Sequence, residues 1–134
     1  MINRSVVEIV TEWDIVAARQ LGRSEARGIG FNSVDQARIT TAISELAKNI
    51  YLYTLAGEII IERVVDGSHI GIRVIAIDKG QGADDVRNVI ENKLSTTEGL
   101  GIALPRLKRL MDDLEIQYNL EEGTTIKVEK WLNR

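Results

Sequence analysis

Two spaced glycine pairs, Gly80/Gly82 and Gly99/Gly101, stand at junctions between regular stretches of the chain. Glycine there lets backbone N–H groups approach a ligand closely. The second pair also leads into a helical pattern, whose N-terminal N–H groups and dipole favour phosphate. A turn that needs a left-handed residue explains either pair equally well. Glu45 and Asn49 lie four residues apart in another helical pattern, so they are neighbours on one face. At about 100° per residue they sit roughly 90 to 130° from the centre of that helix's apolar stripe, where they could line a cleft beside the core. An asparagine oxygen suits Mg²⁺, a hard ion that takes few protein oxygens plus waters and phosphates. A carboxylate one turn away can take the proton of an attacking hydroxyl. The same two residue types also serve on an ordinary solvated helix face.

Other chemistries are excluded by what the chain lacks. It has no cysteine, so disulfides, Cys-zinc sites and thiol catalysis are out, and a reducing cytoplasm is the expected setting. Its single histidine, His69, is expected at a solvated hairpin tip and can build neither a multi-histidine metal site nor a Ser-His-Asp triad of the usual kind. No glycine is followed by lysine, so there is no P-loop, and Gly99-Leu100-Gly101-Ile102-Ala103-Leu104 lacks the third glycine of a dinucleotide fingerprint. His69 is followed by Ile70-Gly71, which rules out the catalytic loop of eukaryotic-type kinases. Lys plus Arg number 17 against 20 Asp plus Glu, a net charge of -3, which supplies no bulk field for nucleic acid or an anionic membrane. No run has the length of a signal peptide's apolar region or of a membrane span.

These side chains must be positioned by one domain, residues 1–134, long enough to bury about two-thirds of its unfolded surface. Residues 6–10 read as a strand, and from Trp13 the period becomes helical, with Trp13, Val16, Ala17, Gln20 and Leu21 on one face and Gly28 and Gly30 ending the helix. Ser33 with Gln36 forms a capping-box pattern at the start of a second helix reaching Tyr53. Its apolar stripe is Ile39, Ala42, Ile43, Leu46, Ala47 and Ile50. Gly57–Val65 and Ile70–Ile77 read as a hairpin turning at Asp66-Gly67-Ser68-His69. A short helix over 84–91, a polar segment over 92–98, a helix from Gly99 to about Leu114 with Pro105 in its first turn, and strands 115–120 and 124–132 complete the chain. The order β-α-α-β-β-α-α-β-β predicts an α/β sandwich with a mixed sheet covered by helices on one face, the other face needing a partner or a polar cover.

In sequence order, Glu45…Asn49, Asp78-x-Gly80-x-Gly82, Gly99-x-Gly101 and Gly123-Thr124 resemble the boxes of the GHKL (Bergerat-fold) ATP-binding family. Thr11–Arg19, the run Asp35–Tyr53 and the closing Lys130-Trp131-Leu132 extend the resemblance over nearly the whole chain. They look like the RsbT-type serine/threonine kinases of stressosome signalling. The resemblance implies a two-layer α/β sandwich with a mixed, mainly antiparallel sheet. It implies ATP and Mg²⁺ as cofactors, with Glu45 as general base and Asn49 as the Mg²⁺ ligand. Asp78 would accept a hydrogen bond from the adenine amino group, Gly80 and Gly82 would shape the adenine pocket, and Thr124 would support its side. Gly99, Leu100 and Gly101 would bring backbone amides to the phosphates behind a mobile lid over 92–98. The chain departs from the family at Gln81, where proline is common, and at Glu98, Ala103 and Arg106, where glycine is common.

By resemblance, the function is a cytoplasmic protein serine/threonine kinase whose substrates are STAS-domain proteins, a scaffold and an antagonist that sequester it. Once released, it would bind the regulatory domain of a PP2C-type phosphatase and activate it. An anti-sigma-factor kinase and a non-catalytic nucleotide-binding switch are the alternatives.

Overall fold

The computed structural model describes residues 4–53, 56–78, 104–119 and 123–132. Strand β1 (Arg4–Ile9) leads into helices α1 (Glu12–Ile29) and α2 (Ser33–Tyr53), followed by the hairpin β2 (Gly57–Asp66) and β3 (His69–Asp78). A helical stretch over 104–110, α3, precedes β4 (Asp113–Asn119) and β5 (Gly123–Trp131). The strands form one sheet in the order β1-β2-β3-β5-β4. All four pairings are antiparallel, so the sandwich is as expected while the mixed character of the sheet is not seen among the described strands. The expected helix over 84–91 and the segment 92–98 lie outside the described residues, and no described helix is long and apolar enough to cross a membrane.

The core follows from period. Along β2, β3 and β5, the alternate residues Ile59, Ile61, Ile72, Val74, Ala76, Ile126 and Val128 are buried. The whole expected stripe of α2, from Ile39 to Ile50, is buried against them, joined by Leu107 and Met111 from α3 and its end. The opposite face of the sheet carries ion pairs, the polar one of the two covers that the element order called for. Arg73 bridges Glu129 at 2.7 Å and Glu62 at 3.1 Å, and Lys127 meets Glu115 at 2.9 Å. Burial acts to lower the Arg73 pKa, but its hydrogen bonds to Glu129 and Glu62 outweigh that and raise it. Lys127 holds the Glu115 carboxyl below its ordinary value.

Four local expectations are corrected. Helix α3 ends at Leu110, and Leu114, expected at the end of that helix, lies in β4. The face of α1 carrying Trp13, Val16, Ala17 and Gln20 is turned to solvent, with Trp13 80% exposed, and Leu21 is only half-buried. The buried line is instead Ile15, Ala18, Gly22 and Ala26, and the Ile43 side chain of α2 packs directly over Gly22. Small residues let two helices approach closely, so α1 packs through its smallest face and leaves its largest apolar side chain outside. The cap of α2 is Asn32, not Ser33: its side-chain oxygen accepts the Asp35 N–H at 2.8 Å, while the Gln36 amide donates to the Phe31 carbonyl. His69 is the half-buried first residue of β3 and not a solvated tip. Its ring meets Trp131 edge-on at 6.4 Å, and the tip itself is Gly67-Ser68. The start of α1 is set by Asp14, whose carboxylate accepts the N–H groups of Val10 and Thr11. The Thr11 bond, then the Val10 bond, lowers its pKa, so the cap is intact at neutral pH and is lost as acidification passes that lowered value.

Lys130 is buried in the layer between helices and sheet. Its ammonium donates to the Leu110 carbonyl at 3.1 Å and stands 3.9 Å from Asp112 and 4.0 Å from Asp35, tying the end of α3 to the start of α2. A buried charge held by a carbonyl and two carboxylates is compensated, and its stem fills apolar space.

Candidate functional site

Strand β3 ends at Asp78, which is paired in register with Gly57 of β2 on one side and Thr124 of β5 on the other. Alternation from Val74 and Ala76 puts Asp78 on the helix-covered side of the sheet, and both Asp78 and Thr124 are half-buried. Two residues 46 apart in sequence and assigned to one nucleotide pocket are therefore direct neighbours across a strand pair.

Helix α2 reaches the same end of the sheet because of Gly57. A Cβ built there would lie 2.6 Å from the Ile50 methyl Cγ2 and 2.6 Å from the Ile77 carbonyl oxygen, so only a residue without a side chain lets the helix descend onto the strand ends. Asn49 immediately precedes Ile50, and Glu45 is one turn earlier, both half-buried beside the stripe. Gly57→Ala is expected to destabilise the fold by about 1–3 kcal/mol, because one of the clashing atoms is backbone and cannot rotate away. Thermal unfolding of the variant measures it, and an unchanged midpoint would show that the helix is not held this closely.

The Asn49 amide nitrogen is buried and has no hydrogen-bond partner among the described residues. A buried amide end left unmatched by protein is suited to a ligand, and a half-turn of the amide presents its oxygen in place of its nitrogen. That donor set fits Mg²⁺, which needs one or two protein oxygens when phosphates and waters supply the rest. Among the described residues no group of three or more His, Asp or Glu could hold a metal by itself.

Glu45 is not free on the helix surface. Its Oε1 accepts a hydrogen bond from Nη1 of Arg106 at 3.2 Å, bringing α3 against α2 at the base assigned from sequence. This contact had no local signal in the sequence, because the partners are 61 residues apart. Gly80, Gly82, Gly99, Leu100 and Gly101, and the departures Gln81, Glu98 and Ala103, lie outside the described residues. Of the assigned residues, the structure brings Asp78 beside Thr124 and sets Glu45 and Asn49 on the helix that lands at that strand end. The arrangement can offer a cation an amide oxygen, a hydroxyl a carboxylate, and a heterocycle a carboxylate and a hydroxyl.

No family model matches the chain. Over 132 residues it is 56% identical to a serine/threonine-protein kinase, RsbT, of Bacillus subtilis (strain 168), covering 98% of this chain and 99% of that protein. It is 28% identical over 102 residues to an anti-sigma F factor of Thermoanaerobacter sp. (strain X514), covering 72% of this chain and 70% of the relative. It is also 29% identical over 104 residues to an anti-sigma F factor of Caldanaerobacter subterraneus subsp. tengcongensis, covering 73% and 71%.

Proposed function

We propose that this chain, which belongs to the RsbT family of serine/threonine-protein kinases, transfers the γ-phosphoryl group of ATP to STAS-domain proteins through Glu45 and Asn49, and thereby controls its own release. The observation that supports this reading best is the meeting of α2 with the ends of β3 and β5: Asn49 and Glu45 on one, Asp78 and Thr124 on the others.

In this reading Asn49 holds Mg²⁺, which when bound supplies positive charge to the phosphates. Glu45 accepts the proton of the substrate hydroxyl as the oxygen attacks phosphorus. Asp78 accepts a hydrogen bond from the adenine amino group, with Thr124 beside it and Gly80 and Gly82 around the ring. Gly99, Leu100 and Gly101 donate backbone N–H groups to the phosphates. All of this is carried by one domain acting in the cytoplasm.

The kinase is sequestered by unmodified STAS partners, a scaffold and an antagonist. Phosphorylation adds about -1.5 to -2 charge beside Glu45 and Asp78, so the product is repelled and the kinase passes to the regulatory domain of a PP2C-type phosphatase. A loss of about 1.4 kcal/mol in affinity is already tenfold, enough to redistribute the kinase between partners present in similar amounts. The test is labelled-phosphate transfer from Mg-ATP to a purified STAS-domain protein of the host, with titration of its unmodified and phosphorylated forms. Labelling on serine or threonine and about tenfold weaker binding of the product are expected. Binding without labelling would leave a non-catalytic switch, and equal binding of both forms would overturn the release step. The anti-sigma F factor relatives favour a second reading, an anti-sigma-factor kinase, and tight binding of a sigma factor in the same titration would select it.

A further inference from the structure

The contact between Glu45 and Arg106 is not explained by stability. The Arg106 side chain is 53% exposed, and an ion pair so open to water contributes little to folding. Both backbones are nevertheless anchored. Leu46 and Ala47 beside Glu45, and Leu107 beside Arg106, are fully or almost fully buried, so the two side chains start from fixed points. Only Oε1 of Glu45 is engaged, and Oε2 has no partner among the described residues. A glutamate on a helix face has three rotatable bonds, and a base that samples several rotamers spends little time in the geometry that accepts a proton.

Resting on the reading of Glu45 as the base, we infer that Arg106 is a positioning residue for phosphoryl transfer: it holds one oxygen of the Glu45 carboxylate so that the other is presented to the acceptor hydroxyl. In the step itself the serine or threonine O–H bond breaks and its proton goes to Oε2. The freed oxygen forms a bond to the γ-phosphorus, and the bond from that phosphorus to the bridging oxygen breaks, leaving ADP with the electron pair. Arginine suits the task because its charge is permanent and its planar fork fixes direction as well as distance.

The experiment compares kcat and KM for wild type, Arg106→Ala, Arg106→Gln, Arg106→Lys, Glu45→Gln and the double variant Arg106→Ala/Glu45→Gln, with Mg-ATP and a STAS-domain protein that the wild type labels. Arg106→Ala and Arg106→Gln should each lower kcat about 10- to 100-fold, with KM for ATP within about twofold of wild type. Arg106→Lys should recover part of the loss, and Arg106→Ala should cost nothing further once Glu45 is glutamine. The half-exposed side chain leaves the melting temperature of all the Arg106 variants near that of wild type. Activity of Arg106→Ala at or above wild type, a loss confined to KM for ATP, or additivity with Glu45→Gln overturns the positioning role. Full activity of Glu45→Gln overturns the base assignment itself. Loss in Glu45→Gln with none in Arg106→Ala overturns the positioning role alone.

Discussion

Replacing Glu45 by alanine is expected to lower phosphotransfer by about 10² to 10⁴ while nucleotide binding stays close to wild type. A general base acts on the hydroxyl in the transition state and has no part in the ground-state affinity for ATP, so the loss falls on kcat. The fold should tolerate the change: Glu45 is beside, not within, the buried stripe, and its partner Arg106 is already half in water. Rapid-quench transfer of labelled phosphate and calorimetric titration of nucleotide separate the two quantities. The same variant should remain bound to its unmodified STAS partner after Mg-ATP is added, whereas the wild type is released. Transfer at the wild-type rate would reduce Glu45 to a helix-surface residue paired with Arg106.

Asp78→Asn is expected to act on binding instead, weakening nucleotide affinity by about 10- to 100-fold. Hydrogen bonds to a charged group are typically worth about 1.5–3 kcal/mol, and the amide can turn an N–H toward a donor that needs an acceptor. Asp78 sits at the end of the central strand, between Gly57 and Thr124, so its backbone is fixed by ladder pairing on both sides and the substitution leaves the strand intact. Calorimetry against ATP and GTP reads the effect. A carboxylate that recognises an adenine amino group should lose more affinity for ATP than for GTP. An unchanged ATP affinity in a well-folded variant would show that the adenine pocket is elsewhere.

Much of this molecule could be read from local pattern. Helix α2 runs from Ser33 to Tyr53 as its period indicates, and all six residues of its stripe are buried. The β2–β3 hairpin turns at Gly67, which takes a left-handed φ of +62°, and β5 begins at another left-handed glycine, Gly123. In each case a repeat of about 3.6 or 2 residues, or a backbone conformation that one residue type favours, carries the signal within a few positions. The family membership, through the ordered boxes, was legible on the same terms, and it is supported by the 56% identical kinase.

What failed to show in the sequence failed for one physical reason: it depends on which surfaces meet. Hydropathy gives Trp13 and Val16 more weight than Ala18 and Gly22, yet α1 packs through the small residues because close approach to Ile43 needs them. Lys130 scores as a surface residue and is buried because the Leu110 carbonyl, Asp35 of α2 and Asp112 between α3 and β4 converge on it. The types and spacing of Glu45, Asn49, Asp78 and Thr124 were determined by the sequence alone, together with the elements that carry them. That Thr124 lies against Asp78, that Gly57 admits the end of α2 to the same place, and that Arg106 grips Glu45 were decided only by the tertiary structure. Periodicity records the environment along one element, whereas these contacts join positions tens of residues apart whose pairing exists only once strand order and helix depth are set.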